Sequence, residues 1–508
     1  MRRHPGIEAW TVALIGSALA AAVIVPIAAR ASAALAGAGL IACFAALPWA
    51  ARRVPESLRG SLRRRPVVAV LWLLLALVAV AQMGRLSAFM ADSSRLWGST
   101  FPDPVVSGHQ CMSAYVHAAD LARRGEENIY DPRWYPAFTA PVNTTPGFPS
   151  PVAGLGRWID DPYEYPSPFL LLPRAALAAT NSFDAIRAGW FAFQTLALMA
   201  IVLLLANWVG GRYGLTAGLL LPLLFASIPT MFDLQFGQFH MMAVALTVAA
   251  MIAFEERRAV LGGALLAFAI LGKVFPAMFL LYLALRRQWR AAGWTVAFLA
   301  GFTLLSIPVV GWKPLLAFFT FQVPRIVTGE AFSFVSRPGV PLFFLSRNFS
   351  ITSVVPKLGI LGLPGMTRGV SLGLTWLFTL AILAFNQRAA RGFRSRVGEA
   401  RTWLALLTIA SLRAPLAPSS YVTVTPLWLL TYLAGGIRGR VPLVIAFALA
   451  WALIVGPPPL PDRADLVVAL GGQALAFGIA IATLFRPDPG SDAERAPAAS
   501  TFPKPQEA

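Results

Sequence analysis

Long stretches of this chain carry almost no charge. Windows of about 18 or more residues, near 10–28, 32–50, 66–90, 186–208 and 293–310, hold at most one or two ionisable side chains, which marks membrane-spanning helices. A backbone in hydrocarbon must satisfy its own polar groups, so such windows can fold only as helices packed in a bundle. Charged residues make up 13% of the chain, against roughly 25% in a soluble domain. The pattern predicts an all-α polytopic membrane protein. Further helices are expected near 213–230, 236–254, 366–386, 402–416, 421–434, 441–456 and 464–485. The opening apolar run is too long for the core of a cleaved leader and reads as a retained first helix.

The formal net charge of +19 does not point to nucleic acid. The arginines cluster in short loops between apolar runs, with no basic stripe interleaved by aromatics. The loop 51–66 carries Arg52, Arg53, Arg59, Arg63, Arg64 and Arg65 against Glu56 alone, and 386–401 is similarly basic. Basic loops mark the cytoplasmic side. Both termini then also face the cytoplasm, and the polar, Pro/Ala-rich tail 486–508 is expected to be disordered. Two large segments, 92–184 and 311–364, fall outside. The first holds many of the chain's 23 acidic residues, and long outer segments usually work rather than merely connect. Cys43 and Cys111, the two cysteines, are too distant in sequence to define a disulfide framework.

Within 259–285 the single charge is Lys273, in "LGKVFP". One unbroken helix there would leave "RRQWR" (286–290) outside, against the basic-loop pattern. Two half-spanning helices, about 259–271 and 275–285, restore it, with Gly272 and Pro276 as the break. Lys273 would then sit at the tip, at or beneath the outer surface, facing water or an anion, because an unpaired lysine in lipid is costly.

Other polar groups gather around the same expected face. Helical spacing over 107–124 places His109, Ser113, His117, Asp120 and Arg124 roughly on one side, as in a helix lying on the outer membrane surface and ending at Gly125. "DPYEYPSP" (161–168) sets prolines before an apolar run. "FDLQFGQFHMM" (232–242) gathers Asp233, Gln235, Gln238 and His240 at the head of a helix. Arg347, Asn348 and Ser350 follow, and then Arg413; arginine's forked donors suit phosphate. No Walker loop, HExxH, GxSxG or CxxC pair occurs.

Taken in order, these pieces form a pattern: Tyr115, Ala118, Ala119, Leu121 and Gly125 with a later Tyr130-Asp131; Tyr165 to Pro168; Phe236 to His240; Gly272 to Pro276; Asn348 to Ser350. Over roughly 66–430 the chain resembles glycosyltransferase family 87, integral-membrane enzymes of the GT-C architecture. The resemblance implies a GT-C-like bundle of about 12–14 transmembrane helices, with large extracytoplasmic loops carrying amphipathic helices. An added hairpin would occupy 1–50, the catalytic core 51–430, and C-terminal helices 431–485.

The resemblance further implies transfer of a hexose, mannose foremost, from a polyprenyl-phosphate donor to a glycolipid or glycan acceptor at the outer face of a bacterial cell (inner) membrane. No cofactor or metal is implied. Lys273, Arg347 or Arg413 would neutralise the donor phosphate. Tyr115, Tyr165, Gln238, His240 and Asn348 would contact substrate, and an outer carboxylate would act as general base. The family's usual Asp four residues before the tyrosine is here Cys111, a poor base, so His109, Asp103, Asp120 and Asp233 are the alternatives. The late Ser-Pro/His-His element is also missing from "RAPLAPSSYVT". A secondary transporter or lipid flippase, which also uses broken helices, and a non-catalytic relative are the competing readings.

Overall fold

The computed structural model describes residues 6–54, 60, 66–92, 111–135, 149–158, 161–328, 330–331, 342–346, 348–392, 395–414, 416–417, 427, 429, 460 and 462–485. Helices α1 (Ile7–Ala31), α2 (Ala33–Ala45), α3 (Leu47–Arg53) and α4 (Pro66–Ala91) form the N-terminal part. After them come α5 (Cys111–Arg123), α6 (Leu171–Ala179), α7 (Phe183–Val209), α8 (Gly211–Leu219), α9 (Leu221–Phe225) and α10 (Ile228–Phe236). The central group is α11 (His240–Glu255), α12 (Ala259–Gly272), α13 (Met278–Leu285), α14 (Trp289–Val310), α15 (Trp312–Ala317) and α16 (Val323–Thr328). The last are α17 (Leu342–Ser346), α18 (Val354–Ile360), α19 (Arg368–Ala390), α20 (Arg396–Arg413) and α21 (Asp462–Phe485). The expected helix at 421–434 is described only at Leu427 and Leu429, both helical and buried, and that at 441–456 lies outside the described residues.

The protein is an all-α polytopic membrane protein. Among the described residues, 7 helices are long and apolar enough to cross a membrane, or 8 if the bent pair Tyr213–Phe225 and Ile228–Phe236 counts as one span. That pair corrects the single helix expected over 213–230. It bends by 64° between Phe225 and Ile228, where Pro229 opens the second segment and its missing N–H is tolerated at a helix start but not in an unbroken helix; Pro222 opens α9 within the first segment in the same way.

Helix lengths shape the interior. The 27 residues of α7 and 22 of α14 reach about 40 and 33 Å at 1.5 Å per residue, more than a hydrocarbon core of about 30 Å. The 16 residues of α11 and 14 of α12 reach only about 24 and 21 Å. The short helices pack against the long ones, α11 on α7 and α12 on α14, so their ends fall short of one membrane face.

Ion pairs identify the other face. Arg286 at the end of α13 reaches Glu255 (3.7 Å) and Glu399 (3.0 Å), and Arg396 reaches Glu256 (3.3 Å) and the carbonyl of Trp208 (3.0 Å). The chain therefore leaves this basic end at α12, turns at Lys273 and returns to the same end at Arg286. The broken course expected for 259–285 is the observed one. α12 ends at Gly272, Lys273 is extended (φ −151°, ψ 127°), and a 3-10 turn over Phe275–Ala277 leads into α13.

At the opposite end, α5 and the segments 129–135 and 161–170 cover the recess. Here the structure corrects a second expectation. α5 does not lie on a surface with one solvated face: every residue from Cys111 to Ala122 is buried. Tyr115 packs on Tyr165 and Phe169 and reaches the α10–α11 turn, while His117 on the polar face meets Tyr135, tertiary cover that a single helix's periodicity cannot report.

Candidate active site

The floor of the recess is the turn between α10 and α11. Gly237 closes α10 in the left-handed region (φ +66°), and the Gln238 N–H donates back to the Asp233 carbonyl at 3.0 Å. A Cβ at Gly237 would stand 2.8 Å from the Cβ of Met112, so only glycine allows both the conformation and the approach of α5. "FGQFH" is thus a turn rather than the head of a helix. The side chains of α7 fasten it: Trp190 Nε1 donates to the Gly237 carbonyl at 3.0 Å, and Gln194 Nε2 donates to that of Gln238.

Lys273 meets this turn. Its Nζ donates to the Tyr165 hydroxyl (2.6 Å) and to Gln238 Oε1 (3.1 Å), and it lies 4.1 Å from the centroid of the Tyr165 ring. It is 5% exposed. Gly272 makes the approach possible, since a Cβ there would sit 2.1 Å from the ring of Phe239. Gln238 also donates through Nε2 to Cys111 Sγ at 2.8 Å. One amide therefore ties the lysine to the position where a carboxylate was expected. Asp161 and Asp233 both act electrostatically on Lys273.

An aromatic collar gathers around Tyr165, the ring that Lys273 meets. Tyr115 packs edge-on against Tyr165 and Phe169, each at 5.2 Å between centroids, and its hydroxyl accepts from the Phe239 N–H at 3.4 Å. Tyr130 donates to the Tyr165 carbonyl at 3.0 Å, and Tyr163 to the Pro166 carbonyl at 2.9 Å. Pro166 and Pro168 hold this strip open as it enters the 3-10 turn Ser167–Leu170, so Tyr165 is presented at a fixed angle.

The remaining candidates are distributed as follows. Asp233 is fully buried beneath the turn, accepting from the Met241 N–H at 3.2 Å. His240 stacks on Phe275 with 4.8 Å between centroids. Asp120 is buried and committed to Arg123 (2.5 Å) and Arg124 (3.1 Å) on its own helix. Asn348 works as a structural knot: its Oδ1 accepts from the N–H groups of Ser350 (3.0 Å) and Ala417 (2.9 Å), while the buried Lys357 donates to its carbonyl at 2.6 Å. Arg413 donates to Thr379 Oγ1 at 2.6 Å. Asp103, His109 and Arg347 lie outside the described residues.

Two carboxylates missed in the sequence stand at the edge of the recess. Glu164 accepts from Gln322 Nε2 at 2.8 Å. Burial pushes its carboxyl up to about 8, against the charge of Arg325, and the nearby Asp161 pushes the same way. Asp161 is partly exposed and acts on both Glu164 and Lys273. Their signal was present in "DPYEYP", two acids within the four residues before Tyr165, the tyrosine that receives the lysine. Among the described residues, no group of three or more His, Cys, Asp or Glu is placed to hold a metal ion.

Residues 163–415, which begin at the tyrosine strip and contain the Gln238 turn and Lys273, match the family model described as Glycosyltransferase family 87. The chain belongs to glycosyltransferase family 87. No curated protein and no solved structure matches it. As a family 87 chain it is a glycosyltransferase, and it acts on a sugar donor and an acceptor in a membrane setting. The family match begins after α5, so Cys111 and Tyr115 are joined to the site by their contacts with Gln238 and Tyr165 alone.

Proposed function

We propose that this enzyme transfers a hexose, mannose foremost, from a polyprenyl-phosphate donor to a glycolipid or glycan acceptor at the extracytoplasmic face of a bacterial cell membrane. The observation that carries the reading is the buried Lys273, held by Tyr165 and Gln238 where the shortened helices end below that face. The opposite end, with Arg257, Arg258, Arg286, Arg287 and Arg396, takes the cytoplasmic side by its basic excess.

In the proposed step the acceptor oxygen attacks the anomeric carbon. The bond from that carbon to the phosphate oxygen breaks, and its electron pair leaves with the polyprenyl phosphate, which gains one negative charge. The Lys273 ammonium lies in a water-poor recess, where a fixed cation stabilises developing charge most strongly. Tyr165 and Gln238 orient that ammonium, and a phosphate oxygen competes with them for its hydrogens. The acceptor's proton passes to a carboxylate, for which Asp161 is the proposed residue because it is partly exposed and lies in the field of Lys273. The tyrosine collar supplies flat, amphipathic faces for a sugar ring.

The test is transfer by the purified full chain, supplied with polyprenyl-phosphate mannose and other polyprenyl-phosphate hexoses together with glycolipid acceptors. Product formation is expected, with D161N lowering kcat about a hundredfold or more. Absence of turnover with every lipid-linked sugar, from protein that remains folded, would overturn the proposal.

A further inference from the structure

A second cationic cluster lies outside the Lys273 site, where the end of α1 meets the start of α7. Arg187, in the second turn of α7, is 1% exposed. Its guanidinium carbon lies 4.4 Å from the Trp158 ring centroid and 5.0 Å from that of Phe89. None of its three nitrogens has a hydrogen-bond partner among the described residues. Arg157 approaches the same Trp158 ring at 5.4 Å and binds Asp184 Oδ1 at 2.5 Å. Arg30, in the last turn of α1, reaches Asp184 Oδ2 at 3.6 Å. Arg30 Nη1 and Arg157 Nε are also buried without a hydrogen-bond partner among the described residues.

Three guanidiniums thus gather near one carboxylate, which pairs with Arg157 and Arg30, and several of their buried donors have no acceptor among the described residues. Leaving such donors unmade costs the full desolvation of each, and uncompensated buried charge costs more. Asp184 turns its two oxygens to Arg157 and Arg30, and none of the Arg187 nitrogens hydrogen-bonds to it. An anion with several oxygens answers this geometry, and forked guanidiniums select phosphate. Arg30 and Arg157 keep side-chain exposures of 25% and 30%, so the cluster opens at its rim while Arg187 forms its base. It also sits at the ends of membrane helices, the level at which lipid phosphates lie.

We infer that Arg30, Arg157 and Arg187 form a second anion site that takes a phosphate group, separate from Lys273 and independent of the donor reading above. On α7, Arg187 precedes Gln194 by seven residues, about 10 Å of helix, and Gln194 holds the turn that carries Gln238. Occupation of the cluster would therefore steady the helix that braces the catalytic turn.

The test uses the delipidated full chain in detergent with two probes, phosphatidylglycerol followed by native mass spectrometry and inorganic phosphate followed by thermal unfolding. The wild type is expected to retain phosphatidylglycerol, to rise in Tm with phosphate, or both, and R187M to weaken that binding about tenfold or more. If R187M does not fold, R157Q at the exposed rim serves with the same readouts. K273M is expected to keep the response. A response to the lipid alone assigns the site to a headgroup, a response to phosphate alone to a soluble anion, and a response to both to the phosphate group itself. No response to either probe, an unchanged response in R187M or R157Q, or a response lost in K273M instead, overturns the inference.

Discussion

Replacing Lys273 by methionine removes the charge and keeps most of the apolar stem. An ammonium about 4 Å from a developing unit charge contributes about 4 kcal/mol at an effective dielectric of about 20. Since about 1.4 kcal/mol is a tenfold change in rate, K273M is expected to lower kcat about a thousandfold. The loss should fall on kcat more than on KM, because the phosphate carries more charge when leaving than when bound as the diester. Folding should suffer much less. Gln238 Oε1 loses a donor, while Tyr165 keeps its edge-on contacts with Tyr115 and Phe169. Arginine is not expected to rescue, because its planar fork does not reproduce the single-point ammonium that Tyr165 and Gln238 hold. The assay is transfer of radiolabelled hexose from a polyprenyl-phosphate donor, alongside a thermal unfolding curve for each variant. A K273M enzyme that folds normally and keeps a rate within about tenfold of wild type would refute the electrostatic reasoning.

Three further outcomes follow from the same geometry. Gly237→Ala strains a left-handed residue and drives a methyl against Met112, so Tm should fall by the equivalent of about 1–3 kcal/mol, with activity falling alongside; an unchanged melting curve would contradict the turn described. Glu164 is protonated in the folded protein between its unfolded value of 4.5 and about 8. The folded state then binds the extra proton, so this group's stabilisation is complete below 4.5 and is lost as pH rises through about 8. The slope is at most about 1.4 kcal/mol per pH unit, and E164Q should flatten it in unfolding measured across that window. Cys111→Ser keeps an acceptor for Gln238 Nε2 and should leave kcat/KM within about threefold of wild type; a loss of several orders of magnitude would give the thiol a chemical role.

Much of this was legible in the sequence because the signals were local. Charge-free windows gave the spans, and Gly272 with Pro276, set against the arginines on either side, gave the broken course around Lys273. The break after α9 was hidden because Pro222 and Pro229 lie in an apolar run that reads as one continuous helix. The burial of α5 was hidden for a different reason: Ser113, His117 and Asp120 look like a wetted face until segments distant in sequence cover them. Asp161 and Glu164 were overlooked beside the more conspicuous tyrosines and prolines. The arginine cluster joins residues 30, 157 and 187, and no spacing rule connects them.

The central claim is that Lys273 receives the donor phosphate, and a structure of the full chain bound to polyprenyl phosphate tests it most directly. The account predicts a phosphate oxygen within about 3 Å of Lys273 Nζ, with the prenyl chain leaving between the shortened helices toward lipid. A phosphate bound at Arg413, or at the arginine cluster with Lys273 still closed over Tyr165 and Gln238, would contradict it.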